Sequence, residues 1–159
     1  MSPVVQGKPF YFDDFVVGDA QPAESYVLEK ESMIAYASKW DPQPWHIDEA
    51  LAKESMFGGL TACSSQIFAI FCKICQRWQS GYVSQSIAGL GFDALEVHRP
   101  AYVGDTLHCV TVCDSVRLSK SKPDRGIVVS VGKLFNQRDE LVFSIKSKYM
   151  VARDPALLK

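Results

Sequence analysis

Long hydrophobic runs are missing from this chain of 159 residues. The strongest apolar stretch, Ile67 to Cys72, falls far short of the ~20 residues that span a bilayer as a helix, so no membrane association is expected. Excess charge is missing too. With 17 basic and 18 acidic residues the net charge is -1, which argues against a nucleic-acid partner. Residues 1–8 show no basic region leading into an apolar stretch, so no secretory signal is expected and a cytoplasmic location is the default. Repeats, low-complexity tracts and linkers are absent, which makes one domain over residues 1–159 the simplest organisation.

Cysteines number five, an odd count, at Cys63, Cys72, Cys75, Cys109 and Cys113 in apolar settings. That pattern suits buried reduced thiols better than a disulfide framework. Cys72-Lys73-Ile74-Cys75 spells CxxC, but it lies in a helical pattern with no second cysteine or histidine pair at zinc-finger spacing. Two small core residues are the expected reading. Asp41, His46 and Asp48 are near one another in sequence, yet no further cluster completes a metal site, so no metal is expected.

What the chain does have is a globular balance, 47% hydrophobic and 22% charged, at a length that buries roughly 70% of the unfolded surface. Ser25 to Leu28 reads as a first strand after the Val17-Gly18-Asp19 turn. Met33, Ile34, Ala37 and Trp40 recur at helical spacing from about Glu29, and Pro42 stops that helix because a residue before proline is pushed out of the helical region. Asp48 is a good N-cap for a short helix to about Ser55. The longest helical pattern runs from about Cys63 to Trp78 and is so broadly apolar that it belongs in an interior. Strands follow at Ile87 to Val97, Thr106 to Arg117, Gly126 to Asn136 and Glu140 to Val151. The last alternates, with Phe143, Ile145, Tyr149 and Val151 on one face and Ser144, Lys146 and Lys148 on the other. Short connections imply antiparallel neighbours. The expected class is α+β: an antiparallel sheet wrapped around one long central helix.

The chemistry concentrates in Asp41-Pro42-Gln43-Pro44-Trp45-His46-Ile47-Asp48. Asp41 falls at a helix C-terminus, where the macrodipole disfavours a negative charge by a few tenths to about 1 kcal/mol. The two prolines predict an extended, stiff backbone that fixes Asp41 relative to His46. A plain turn, with His46 bonded to a backbone carbonyl, accounts for the same residues. Phe57-Gly58-Gly59 precedes the central helix, whose first free N–H groups either meet a partly negative oxygen or are simply capped by Thr61 or Ser64. General acid-base groups beside an oxyanion site are what chemistry next to a carbonyl requires.

The stretch from Asp41 to Asp48 resembles the D-x-N-P-x-H-x-D pattern of MaoC-like dehydratases and (R)-specific enoyl-CoA hydratases. The resemblance continues through Ala52, Phe57-Gly58-Gly59, Arg99-Pro100, Gly104-Asp105 and Pro123-Asp124-Arg125-Gly126, from about Phe10 to Arg153. It implies a single hotdog domain with a core of about residues 10–153, in which Asp41 and His46 hold and activate a water. That water adds to the β-carbon of a 2-enoyl thioester while a proton reaches the α-carbon, and the reverse is dehydration. It further implies that the amide N–H of Ser64 polarises the thioester carbonyl, with Cys63, Gly59 and Gln43 beside the substrate. A homodimer or higher homo-oligomer is implied, with an acyl-CoA or acyl-carrier thioester as substrate and no cofactor beyond coenzyme A within it. Gln43 stands where asparagine is usual, and Cys63-Ser64 stands where the hydratases have His-Gly. A non-catalytic acyl-thioester binding protein and a hotdog thioesterase are the alternative functions. Basic Lys120, Lys122 and Arg125 on a hairpin tip suit either a solvated turn or the phosphates of coenzyme A.

Overall fold

The computed structural model describes residues 7–75 and 81–158. Its elements, in chain order, are β1 (Lys8–Phe10), β2 (Ala20–Val27), α1 (Lys30–Trp40), α2 (Pro44–Ile47), α3 (Glu49–Glu54), α4 (Ser64–Ile74), β3 (Tyr82–Ser84), β4 (Ser86–Val97), β5 (Thr106–Leu118), β6 (Arg125–Phe135) and β7 (Leu141–Ala152). One-turn 3-10 helices add Phe12–Asp14 and Pro155–Leu157. The long strands form one antiparallel sheet in the order β2-β5-β6-β7-β4.

The sheet curls around α4. Ile67, Ile70, Phe71 and Ile74 on one face of that helix are buried, while Ser64, Ser65 and Ala69 on the other are exposed. Burial contributes roughly 1.5–3 kcal/mol for each of the large side chains. They meet Leu107, Leu134, Phe143 and Ile145 from the sheet. Gly132 on β6 is what lets helix and sheet approach so closely: a Cβ there would lie 2.2 Å from the Phe71 ring. A second cluster of Phe12, Phe15, Cys113, Val128 and Val151 fills the far end of the concave face.

Several boundaries match the sequence pattern. Helix α1 stops with Asp41 as its C-cap, directly before Pro42, and Asp48 caps α3 by accepting bonds from the Ala50 and Leu51 amides at 2.8 and 3.0 Å. The expected continuation of the central helix to Trp78 runs beyond Cys75 into residues outside those described. Three features differ. Residues 44–47 form a helical turn rather than an extended run, because Pro44 occupies the first helical position, where its missing N–H and fixed φ are favourable. The short connection 98–105 does not join neighbours: β4 pairs with β7 and β5 with β2, at opposite edges of the sheet. Finally, β1 and β3 pair in parallel, three residues each and too short to leave a periodic signal.

The connection 98–105 spans the sheet by crossing the segment that leads into α4. The Val103 amide bonds the Leu60 carbonyl at 3.1 Å, the Ala62 amide bonds the Ala101 carbonyl at 2.8 Å, and Thr61 forms a β-bridge with Tyr102. Asp105 holds the turn through the Tyr102 amide at 2.8 Å and the Gln137 side chain at 2.8 Å. This crossing fixes the start of α4.

Candidate active site

Local sequence explains why His46 faces inward. Pro42 ends α1, the Gln43 amide turns back onto the Asp41 carbonyl at 2.8 Å, and Pro44 starts the single turn of α2. That turn carries His46 into the interior, 9% exposed, with Trp45 beside it. The Trp45 carbonyl accepts from the Thr61 amide at 3.2 Å, which ties α2 to the segment before α4.

Both imidazole nitrogens have partners. Nδ1 lies 2.7 Å from the Thr61 carbonyl oxygen and 3.2 Å from Thr61 Oγ1. A carbonyl only accepts, so Nδ1 carries the proton when the ring is neutral. Nε2 is then an acceptor, and the Trp45 indole N–H donates to it at 3.1 Å. The two contacts assign the same tautomer, with the Nε2 lone pair as the basic position.

His46 and Thr61 line a cavity of about 370 Å³ with Trp45, Phe57, Ser64, Ile67 and the segment Val97 to Pro100. Ser64 is the first residue of α4, exposed, and its N-cap Cys63 makes no side-chain capping bond. The Gln66 and Ile67 amides return to the Cys63 carbonyl. The Ser64 and Ser65 amides are thus the unpaired donors of the helix start, where the macrodipole adds roughly half a positive charge. His98 and Arg99 border the same cavity, each 3.8 Å from a carboxylate outside its lining, Glu96 and Glu140 respectively.

The remaining sequence-derived candidates are arranged differently. Asp41 is half-buried, and among the described residues its carboxylate makes no hydrogen bond or ion pair, either with His46 or elsewhere; nor does it border this cavity. Gln43 is exposed and acts through its backbone, its carbonyl accepting from the His46 amide at 2.9 Å, rather than by a side-chain anchor. Cys63 is fully buried under the helix start, its Sγ 3.4 Å from Ser65 Oγ, and does not reach the cavity. Gly59 stands outside it as well, with only ordinary contacts to the Tyr102 ring awaiting a Cβ, whereas Gly58 has φ +66° and needs to be glycine. Cys72 and Cys75 flank the helix end, where burial pushes the Cys75 thiol up to about 12, an inert state. Among the described residues no group of three or more His, Cys, Asp or Glu is placed to hold a metal, and no helix is long and apolar enough to cross a membrane.

Residue-type reasoning missed Thr61, Trp45 and His98. Thr61 acts through a main-chain oxygen, which leaves no trace in sequence. Trp45 was visible inside the loop motif, adjacent to His46. His98, just past the end of β4, carries no local sequence signal of its own. It bonds Ser144 Oγ at 2.7 Å, yet also borders the cavity. On the hairpin tip, Arg125 is engaged by Asp124 through two bonds of 2.8 and 2.9 Å.

A curved antiparallel sheet wrapped around a central helix, with a histidine loop feeding that helix, is the hotdog architecture. The sequence model of the MaoC-like domain matches residues 15–133, and the chain belongs to that family. A MaoC-like dehydratase from Rhodospirillum rubrum is 36% identical, with a TM-score of 0.83 over 92% of this chain and 99% of that one. The uncharacterized protein YdeM of Bacillus subtilis is 26% identical over 143 residues, covering 89% of this chain and 98% of its own. An (R)-hydratase from A. caviae, involved in PHA biosynthesis, shares the fold at a TM-score of 0.66 and 22% identity, over 88% of this chain and 98% of that one.

Proposed function

We propose that the protein is a hydro-lyase that adds water reversibly across a 2-enoyl thioester to give a 3-hydroxyacyl thioester. The observation that carries this reading is that His46, whose Nε2 is the acceptor nitrogen, and Ser64, whose amide is unpaired at the helix start, line one cavity. Water displaces the Trp45 indole from Nε2, gives its proton to that nitrogen and bonds to the β-carbon. The π electrons move onto the carbonyl oxygen, where the Ser64 amide and the α4 dipole stabilise the charge. Return of the proton to the α-carbon completes the addition. Asp41, outside the cavity lining and without a side-chain bond among the described residues, is the proposed second holder of the water on the strength of the family pattern.

Arg99, which lines the cavity and has only a long 3.8 Å ion pair with Glu140, is the proposed contact for phosphates of a coenzyme A or acyl-carrier arm, in preference to the hairpin Arg125 with its two short bonds to Asp124. A second copy of the chain is the proposed cover for β4. Among the described residues that strand pairs only with β7, and Ile87, Phe92, Leu95 and Val97 along it are 42–52% exposed. Such an edge is a template for strand pairing.

The Trp45 contact on Nε2 also suits a non-catalytic thioester-binding module, so turnover decides between the readings. Crotonyl and longer enoyl thioesters should lose their conjugated-thioester absorbance with the wild-type protein. His46→Gln and Asp41→Asn, each shown to be folded, should be slower on the general acid-base scale of about 100- to 10,000-fold. Wild-type rates in both variants would remove the assignment, and tight binding without turnover at every chain length would favour the binding module.

A further inference from the structure

The concave face of the sheet should be apolar where it covers α4, and at both ends it is, through the Leu107, Leu134, Phe143 cluster and the Phe12, Phe15, Val128 cluster. Between them the pattern breaks. On β7 the inward alternation runs Phe143, Ile145, Ser147, Tyr149, Val151, and on β6 it runs Val128, Ser130, Gly132, Leu134. Ser130 and Ser147 stand opposite each other in the β6–β7 register.

A cavity of about 280 Å³ opens at this belt, roofed by Phe71 and Cys75 and walled on one side by β4 from Ser86 to Phe92. Its hydroxyls are only partly committed. Ser130 pairs with the Tyr149 hydroxyl at 2.8 Å, and Ser84 with Ser86 at 2.8 Å, each pair leaving one hydrogen to donate. Ser147 Oγ is buried with no hydrogen-bond partner among the described residues. Buried polar atoms are nearly always bonded, and a valine would suit this strand position if only packing mattered.

This cavity lies further along α4 than the His46 cavity and shares no lining residue with it. Ile67 borders the His46 cavity and Phe71 borders this one, four residues apart on one face of α4 and so about one helical turn, ~5.4 Å, further along. On β4, Val97 borders the first and Phe92 the second. The ring of Phe68, the residue after Ile67, packs edge-to-face on Phe92 with centroids 5.0 Å apart.

We propose that this hydroxyl belt receives the far end of the substrate's acyl tail and selects tails bearing an uncharged polar group, such as a hydroxyl or keto oxygen, over plain hydrocarbon. The inference rests on the thioester reading above and names the substrate class that reading left open. A carboxylate tail is disfavoured, because the one charged residue at the wall, Lys148, has the outward place in the β7 alternation and is exposed. A site built to hydrogen-bond a substrate oxygen discriminates against the analogue lacking it, because its own buried groups are then left unpaired.

The test is calorimetric binding of saturated acyl-CoA thioesters, which cannot turn over by hydration, in three matched series: plain, terminally hydroxylated and terminally carboxylated, each at several chain lengths. The wild-type protein should prefer the hydroxylated series by roughly five- to ten-fold at the length that reaches the belt, the scale of one net hydrogen bond. Ser147→Ala, which deletes only the unpartnered oxygen, should erase that preference while keeping the melting temperature at or above wild type, and Ser147→Thr should restore it. Equal or tighter binding of the plain series, a preference for the carboxylated series, or an unchanged preference in Ser147→Ala would overturn the proposal. If plain enoyl thioesters are hydrated well and the hydroxylated ones bind no better, the hydratase reading stands and the belt proposal falls. If no thioester of any series binds, both fall.

Discussion

The two ends of α4 are held in different ways. Its start is fixed by main-chain bonds: Thr61 to Trp45, Ala62 to Ala101 and Val103 to Leu60, with the His46 ring bonded to the Thr61 carbonyl. Its end lies over a cavity whose polar contacts come from the side chains of Ser130, Tyr149, Ser84 and Ser86. Main-chain bonds survive most substitutions, whereas side-chain contacts change with each one. In this arrangement the proposed reacting geometry is insulated from mutation, and the proposed specificity end is free to vary.

The most severe way to break the contrast is to remove the side chain that the first end exists to hold. His46→Gln should lower turnover of any enoyl thioester by about 100- to 10,000-fold, equivalent to roughly 3–5 kcal/mol, at every acyl length. A stopped-flow or steady-state absorbance assay measures it. An effect that depends on acyl length would show that the two ends are not separable.

Next in size is Gly132→Ala. A methyl at that place would lie 2.2 Å from the Phe71 ring, so the ring or the strand must shift, at a cost of about 1–3 kcal/mol. For a chain this long, thermal unfolding should show a drop of several degrees. Because Phe71 roofs only the second cavity, medium-chain substrates should lose more kcat/KM than crotonyl thioesters. Equal losses across lengths would mean that the helix moves as one body.

How far the sequence reveals this contrast depends on which atoms make the contacts. The ends of α1 and α3 are legible because Pro42 and Asp48 act locally through sterics and capping. The sheet order is less so: the eight residues between β4 and β5 look like a hairpin link, and only their tertiary bonds to residues 60–62 show that they cross the helix start. His46 is legible as a candidate, but its partner is a backbone oxygen that any residue at position 61 would supply. Asp41 is equally conspicuous in sequence, yet its carboxylate stands without a partner among the described residues. Ser147 is not legible, because a serine between Ile145 and Tyr149 looks like a tolerated gap in the alternation rather than an unpaired hydroxyl.

A smaller effect separates the two ends by pH. Burial raises the Tyr149 hydroxyl to about 12, against about 10 for an exposed tyrosine. Between those values the unfolded chain has released a proton that the folded chain keeps, so stability falls as pH rises through that window, by on the order of 2 kcal/mol. Below pH 10 both states hold the proton and the contribution is flat. Denaturant midpoints of wild type and Tyr149→Phe should therefore converge or cross between pH 10 and 12, since the variant lacks this one ionisation. A constant difference across the window would show that the hydroxyl is solvated.

The smallest expected effect is at the His46 end, the proposed catalytic end, where a side chain intrudes on an otherwise main-chain frame. The Trp45 indole N–H occupies Nε2 of His46, the nitrogen that water must reach. Trp45→Phe keeps an aromatic ring near Phe57, whose centroid lies 5.9 Å from that of Trp45, but removes the donor. One net hydrogen bond to a neutral group is worth about 0.5–1.5 kcal/mol, so releasing it should raise kcat/KM by about two- to ten-fold. Nitrogen-15 shifts should still report the proton on Nδ1, because the Thr61 carbonyl remains in place. A loss of activity with an altered tautomer would give the indole the opposite role, that of holding the imidazole in register, and the helix start would then depend on a side chain as much as the helix end does.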